Sequence, residues 1–284
     1  MIRRLFTDIA GVYDRMNRLL SLGSDLRWRR QAAALVHGTP STILDLACGT
    51  GDFAFALARR FPGAQILGVD LTPAMLDLAR AKNTSPNITF RLGDAQNLSS
   101  LAPSFKHSNI QTFKHSNIQT FKHSNIQTFK PSLITCAFGF RNFPDKAAAL
   151  AEAKRVLAPD GELLVLEFFR PQNRLLGGLT RLWLRAMSFL FARRNAAAYT
   201  YLRESIDKTL SAEGFIALAE RQGFVLETRH LFFPACSCLL FRSAYGFLSD
   251  SSTSGQADGL GNSAEPKASP SPARKPGRSI SGSM

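Results

Sequence analysis

Short apolar runs and amphipathic stretches alternate along most of the chain. Thr42–Ala47 (TILDLA) has strand length and runs into a glycine-rich turn. Asp52–Phe61 has helical periodicity and stops at Pro62-Gly63. Gln65–Asp70 (QILGVD) reads as a second strand. Thr72-Pro73 then supplies an N-cap and a first-turn proline for a helix to about Lys82. Asn87–Leu92 and Ser132–Phe138 read as the third and fourth strands. Asp145 opens a helix to Leu157, stopped by Pro159-Asp160-Gly161, and Glu162–Phe168 (ELLVLEF) is a fifth strand. Ser211–Gln222 reads as a helix and Phe224–His230 as a further strand. Units of this length in alternation predict an α/β Rossmann-like fold, a mostly parallel sheet with helices on both faces. Ligands of such sheets bind beyond the carboxyl ends of the strands, where strand order reverses.

Three segments break this pattern. Residues 105–130 spell Phe-Lys-His-Ser-Asn-Ile-Gln-Thr three times, then Phe129-Lys130. Solenoid repeats run longer and diverge between copies, so this octapeptide array reads as a solvated insert. Residues 249–284 are rich in Ser, Gly and Pro and read as a disordered tail. Asn173–Arg194 is amphipathic: at about 100° per residue, Arg174, Arg181 and Arg185 share one narrow stripe. Leu175, Leu179, Leu182, Trp183, Met187 and Leu190 lie around the opposite side. Arginines inside the apolar run argue against a bilayer span and for an interfacial helix or a lid. The expected organisation is an N-terminal helical arm (1–37), a body (38–248) carrying the 105–130 insert and a 173–203 lid, and the 249–284 tail.

The chain of 284 residues carries 35 Lys+Arg against 21 Asp+Glu, a net charge of +14. That excess first suggests nucleic acid or an anionic membrane. Its distribution favours the membrane. Residues 38–104 hold five basic and five acidic side chains, whereas 1–37 hold seven against three and 170–203 hold seven against none. The insert adds four lysines. After the fourth strand stands Phe138-Gly-Phe-Arg-Asn142, not the Asn/Asp-Pro-Pro-aromatic signature of adenine methylation, and no strand ends in Pro-Cys. No nucleic-acid partner is expected. The four cysteines form no C-x-x-C pair, and three of five histidines belong to the repeat. No metal site or disulfide framework is expected, and a reducing, cytoplasmic compartment fits. The N-terminus has no apolar core of a cleaved signal peptide.

The densest chemistry is Asp45-Leu-Ala-Cys-Gly49-Thr50-Gly51-Asp52, at the end of the first strand. Its glycines let the chain turn tightly and let a ligand approach the backbone. Gly49 to Ala54 also satisfies G-x-G-x-x-A, which alone suits a dinucleotide equally well. Asp70, at the end of the second strand, is placed to accept both ribose hydroxyls of an adenosine. Asp45 tips the choice, because a diphosphate would be repelled there. S-adenosylmethionine carries a sulfonium and an amino group and no phosphate, so an acid-lined loop suits it. Asp94-Ala95, after the third strand, can meet the adenine amino group. Carboxylates at three successive strand ends read as a class I methyltransferase dependent on S-adenosylmethionine.

The chain also resembles the C-methyltransferases of ubiquinone and menaquinone biosynthesis. The matching pieces are Tyr13-Asp14-Arg-Met16-Asn17 with Ser21 and Trp28, the Asp45–Asp52 loop, Phe138-Gly-Phe-Arg141-Asn142, Arg155-Val-Leu, Leu166-Glu167-Phe168 and Tyr201-Leu-Arg-Glu-Ser205. They span residue 6 to about 230 in order. The chain departs from the family at Asp25, where a histidine is usual, at Ala158, Asp160 and Phe169, and in the Pro234–Phe241 ending. The resemblance implies carbon methylation of a prenylated quinol, demethylmenaquinol or its ubiquinone-pathway counterpart, at a membrane surface. It implies roles as well. The catalytic set would be Arg141, Asn142, Tyr13 and Asp14: Arg141 would stabilise a phenolate or position a water, Asn142 would hold a ring oxygen, Tyr13 and Asp14 would cover the site from the N-terminal segment with Asp14 as proton acceptor, and Tyr201 would wall the pocket. Two alternatives stay open: methylation of another lipophilic phenol, and a non-catalytic scaffold that binds S-adenosylmethionine. Oligomeric state is likewise open, a homodimer included.

Overall fold

The computed structural model describes residues 2–101, 130–191 and 196–244. The repeat insert (apart from Lys130), the 249–284 tail and the side chains of Met187 and Leu190 lie outside the described residues. Seven strands form one sheet: β1 Thr42–Leu46, β2 Gln65–Asp70, β3 Ile88–Leu92, β4 Leu133–Ala137, β5 Glu162–Phe168, β6 Phe224–Phe233 and β7 Cys236–Ser243. Their order is β3-β2-β1-β4-β5-β7-β6. β1 to β5 are mutually parallel, and β7 runs antiparallel to β5 and β6. Strand order therefore reverses between β1 and β4, and the site is expected where these two strands end.

Eight α-helices accompany the sheet among the described residues: α1 Ile2–Leu20, α2 Ser24–Ala34, α3 Asp52–Arg60, α4 Pro73–Lys82, α5 Lys146–Val156, α6 Arg174–Phe191, α7 Ala196–Lys208 and α8 Ala212–Arg221. Two helices are N-capped by side chains, the first where the sequence placed a helix start. Asp145 accepts from Ala148 N at 2.9 Å and Ser211 from Gly214 N at 3.1 Å. Thr72 precedes Pro73 as expected, but its side chain makes no cap bond.

Strand β7 was not anticipated from the pattern. Its residues, CSCLLFRS, are buried at every position except Arg242, so no alternation marks it. A strand covered on both faces reads as a continuous run. The apolar inner strands divide the core in two. One layer lies under α5 and α8 around Phe140, Phe215 and Phe241, and the other lies under α2 and α3 around Ile43, Leu57 and Ile66. At the opposite end of the sheet from the site, His37 Nδ1 lies 2.7 Å from Glu162 Oε1 and 3.3 Å from Glu227 Oε2. This contact fastens the turn after α2 to β5 and β6.

Helices α1 and α6 and the first turns of α2 lie at the carboxyl ends of the strands. Ile9 and Met16 of α1 pack with Tyr13 and with Trp183 of α6. Helix α6 is not divided simply into two sides. Gly177 and Thr180 are buried and Trp183 is half-buried, whereas Leu175, Leu179 and Leu182 are 72%, 51% and 65% exposed. Trp183 thus turns toward the protein and away from the three leucines with which the sequence grouped it.

Candidate active site

Two cavities and a narrow neck occupy the strand ends. The larger, about 360 Å³, lies over β1, β2 and β3 and is lined by Gly49, Asp70, Asp94, Ala95, Met75 and Tyr13 among others. The second, about 210 Å³, is walled chiefly by apolar groups: Trp28, Phe138, Phe168, Trp183, Ile206 and Phe233. Phe138 lines both. The neck, about 20 Å³, is bounded by Tyr13, Arg29, Asp45, Ala47 and Ala137.

The larger cavity follows directly from the loop after β1. Gly49 and Gly51 sit at φ 54° and 86°, which a side chain adopts only with strain. A Cβ on Gly51 would come within 2.8 Å of the Phe90 ring, whereas one on Gly49 would meet nothing within 4 Å. One glycine thus serves packing and the other leaves the backbone approachable. Asp70 accepts from Gly49 N at 2.9 Å and from Thr72 N at 2.8 Å, which fixes its carboxylate at the cavity wall. Burial nevertheless raises its pKa. Asp45 is buried, and its Oδ1 accepts from Thr135 Oγ1 at 2.6 Å while Oδ2 has no partner. Desolvation pushes its pKa up to about 7, against the pull of the Thr135 bond and Arg29. A cationic amino group arriving at Oδ2 would supply the missing partner. Asp94 accepts from Gln96 N at 2.9 Å and stands at the opposite rim. Acid-lined walls, an approachable glycine backbone and an orphaned carboxylate oxygen fit S-adenosylmethionine.

The elements holding Arg141 and Asn142 are a 3-10 turn, Phe140–Asn142, just beyond β4. Phe138 before it takes φ 61°, and Ala47 after β1 takes φ 50°. Non-glycine residues seldom adopt such angles, and here the two follow the adjacent central strands. Arg141 is nearly buried. Its Nη1 donates to Glu167 Oε1 at 2.6 Å and to Phe138 O at 2.8 Å, and its backbone N donates to Glu167 Oε2 at 3.0 Å. Burial alone would lower the guanidinium pKa; Glu167, with Tyr13 and Tyr201, offsets this and the pKa is raised. Asn142 Oδ1 accepts from Tyr201 Oη at 2.9 Å, and burial raises the Tyr201 pKa. Tyr13 and Tyr201 both meet Phe6 edge-on. Arg141, Asn142, Tyr13 and Tyr201 are therefore brought to one place.

Asp14 and Thr50 are drawn together elsewhere. Asp14 accepts from Thr50 Oγ1 at 2.6 Å and from Lys82 Nζ at 2.8 Å, fastening α1 to the loop and to α4. A second fastening joins Asp25 to Arg18 and Arg29, and Arg18 Nη2 to Asp52 Oδ2 at 2.6 Å. Sequence reasoning named none of Arg18, Arg29 or Glu167 as site residues. Glu167 had a signal, an acid that interrupts the apolar run Leu163–Phe168; Arg29 had none beyond its place in a basic helix. The aromatic wall was also missed: Trp28 meets Phe168, Phe232 and Phe233 at 6.1, 6.4 and 6.3 Å between centroids.

Comparison with known proteins gives this geometry a context. Residues 1–233 match the ubiE/COQ5 methyltransferase family. The demethylmenaquinone methyltransferase of Deinococcus radiodurans is 39% identical over 239 residues, covering 82% of this chain and 88% of the relative. That of Thermus thermophilus is 39% identical over 224 residues, covering 78% and 91%. The ubiquinone/menaquinone biosynthesis C-methyltransferase UbiE of Syntrophotalea carbinolica is 36% identical, covering 78% and 85%. Among solved structures, the pyocyanin biosynthetic protein PhzM superposes with a TM-score of 0.54 at 16% identity, covering 79% of this chain and 56% of that one. A SAM-dependent methyltransferase from Thermotoga maritima superposes at 0.54 and 16% identity, covering 84% and 99%. These structures share the fold.

Proposed function

The chain belongs to the ubiE/COQ5 methyltransferase family, and from that premise we propose that it methylates a ring carbon of a prenylated quinol with S-adenosylmethionine. The substrate is demethylmenaquinol and the product menaquinol, in keeping with the names of the two relatives at 39% identity. The observation that carries this reading is the pair of cavities, one acid-lined and one aromatic, that meet at Phe138.

The residues divide the work accordingly. Asp70 holds the ribose hydroxyls, Asp94 and Ala95 the adenine edge, and Asp45 the amino group, with Gly49, Thr50 and Gly51 shaping the loop around them. When bound, S-adenosylmethionine supplies an electrophilic methyl on a sulfonium. The aromatic cavity takes the quinol ring and excludes water, and its ring carbon faces the neck. Arg141, held in place by Glu167, stabilises negative charge on a ring oxygen; it stays protonated and does not act as the base. Asn142, oriented by Tyr201, donates to a ring oxygen. Tyr13 closes the neck from α1. Asp14 serves to hold α1 down through Thr50 and Lys82. Residues 1–37 and 173–203 form the cover of a catalytic body spanning 38–248.

Among the described residues no helix is long and apolar enough to cross a membrane. A prenylated quinol is nonetheless delivered from a bilayer, and α6 suits the interface. Leu175, Leu179 and Leu182 share one exposed stripe, beside the exposed Arg174, Arg181 and Arg185. Flotation with anionic liposomes should carry the protein upward, and Leu175→Ser with Leu179→Ser and Leu182→Ser should leave it at the bottom. Absence of wild-type binding at low salt would refute the membrane assignment. The quinol assignment is tested by expressing the chain in a bacterium deficient in quinone methylation. Mass spectrometry should find methylated quinone restored; continued accumulation of the demethylated form with well-expressed protein would refute it.

A further inference from the structure

Arg29 has no part in the cofactor cavity, nor in the Arg141–Glu167 pair, yet it is only 5% exposed and lines both the aromatic cavity and the neck. Its hydrogen bonds all start from Nη1, to Asp25 O at 3.2 Å and Asp25 Oδ2 at 2.7 Å, and its Nε has no partner. Arg141 repeats the arrangement, with both side-chain bonds made from Nη1 and Nε left unpaired. Besides these two nitrogens, Asp45 Oδ2 is the one other unpartnered buried side-chain polar atom among the described residues. The three residues that carry these atoms all line the aromatic cavity or the neck.

The two guanidiniums also share a neighbour. Their central carbons stand 5.0 and 5.9 Å from the centroid of Phe138, the residue held at φ 61° that lines both cavities. A guanidinium carries five N–H donors in a rigid fork. Each of these has used one nitrogen to anchor itself to a carboxylate. The anchoring differs in one respect: Arg141 has Glu167 to itself, whereas Asp25 is divided between Arg18 and Arg29. Asp45 and Asp52 also lie close enough for Arg29 to lower their pKa values, so three carboxylates face this guanidinium, and its spare donors rather than an excess of charge set it apart. Two anchored cations with spare donors, at the wall of a small aromatic cavity, are arranged to receive an aromatic ring that carries anionic oxygen.

Resting on the quinol reading above, we propose that Arg29 is a catalytic residue that acts with Arg141 as a clamp on the two oxygens of the quinol ring and holds the ring as its oxyanion. The O–H bond of one ring hydroxyl breaks, the electron pair stays on oxygen and the proton leaves to water. The retained charge makes the ring carbon nucleophilic. Arg29 has this role in addition to its ion pair with Asp25.

The test compares wild type with Arg29→Met and Arg29→Lys, using a short-chain demethylmenaquinol kept reduced, with kcat/KM followed across pH. Arg29→Met should lower kcat/KM by about 10²–10³-fold, the loss seen when one oxyanion donor is removed. With S-adenosylmethionine saturating at every pH, so that Asp45 protonation does not shape the profile, its acid limb should move to higher pH by about one unit. S-adenosylmethionine affinity by calorimetry at pH 9, where Asp45 is ionised, should stay within about threefold, because Arg29 does not line the larger cavity and meets the cofactor site only through the charge of Asp45. Arg29→Lys should recover part of the rate. An unmoved acid limb, or equal loss of cofactor affinity, would reduce Arg29 to a structural ion pair. Should Arg29→Met fail to fold, 4-nitro-1-naphthol bound to Arg141→Met with Glu167→Gln, which leaves Arg29 as the guanidinium of the cavity, reports on Arg29: its visible anion band should appear at lower pH than in free solution, and no displacement overturns the clamp. A wild-type protein that methylates no quinol fails the proposed function, whereas an active wild type with an unaltered Arg29→Met profile fails this inference alone.

Discussion

The two cavities are built in opposite ways. The cofactor cavity takes its polar groups from three consecutive strand ends, Asp45, Asp70 and Asp94, each delivered by a short local turn. The aromatic cavity is assembled from α1, α2, β5, α6, α7 and the end of β6, with residues from Asn17 to Phe233. One is a property of loops and the other a property of packing. The first should therefore respond to substitution through cofactor affinity, with smaller effects on stability, and leave the quinol pocket unchanged. The second should respond through quinol turnover and, where a buried charge loses its partner, through stability.

The largest effect is expected where that distinction is sharpest. Arg141→Ala should abolish detectable turnover, a loss beyond about 10³-fold, while cofactor affinity measured by calorimetry stays within about threefold. It also strands the buried Glu167, so Glu167→Gln in the same chain is the control that keeps the fold intact. Equal loss of cofactor affinity would show that the two cavities are not independent. Asp70→Ala should act the other way. It removes the acceptor for Gly49 N and Thr72 N, so cofactor affinity should fall by about 10²-fold, with the melting curve of the bare protein lowered more modestly.

Asp45 sharpens the comparison through pH. Its folded-state pKa, raised by burial to about 7, exceeds that of the unfolded chain. Stability from the protonated carboxyl is thus full in acid and is lost as pH rises from the ordinary carboxylate range through about 7. Asp45→Asn should accordingly raise the melting temperature more at pH 8 than at pH 4. Cofactor affinity of the wild type should weaken as pH falls below about 7, and this dependence should vanish in the variant. A flat wild-type profile would show that Asp45 does not pair with the amino group. The smallest effect is expected at Trp28, which is one wall among several. Trp28→Ala should raise the KM for quinol by about tenfold, equivalent to about 1.4 kcal/mol, with kcat and cofactor affinity little changed.

The same contrast explains what was legible in the sequence. The parallel strands from Thr42 to Phe168, the helix starts at Asp145 and Ser211, and the three acids at strand ends all carry their signal within a few residues, and the sheet places them as expected. Strand β7 carried no alternation because both its faces are covered. Arg29 and Trp28 sit on a helix whose polar residues look like any solvated face, and only the fold turns them inward. Glu167 offered a hint, because an acid in an apolar strand needs a partner; that the partner is Arg141 depends on the turn after β4 lying beside the end of β5. Asp14 shows the reverse. The quoted motif joined it to Tyr13, but the helix directs one to the neck and the other to Lys82 and Thr50.

The most direct measurement is a transfer assay with S-adenosylmethionine labelled in its methyl group and a short-chain demethylmenaquinol under reducing conditions. The account predicts one labelled methyl per product molecule, on a ring carbon, as located by mass spectrometry and NMR. Label found on a ring oxygen, or no transfer by a folded protein that binds the cofactor, would contradict it.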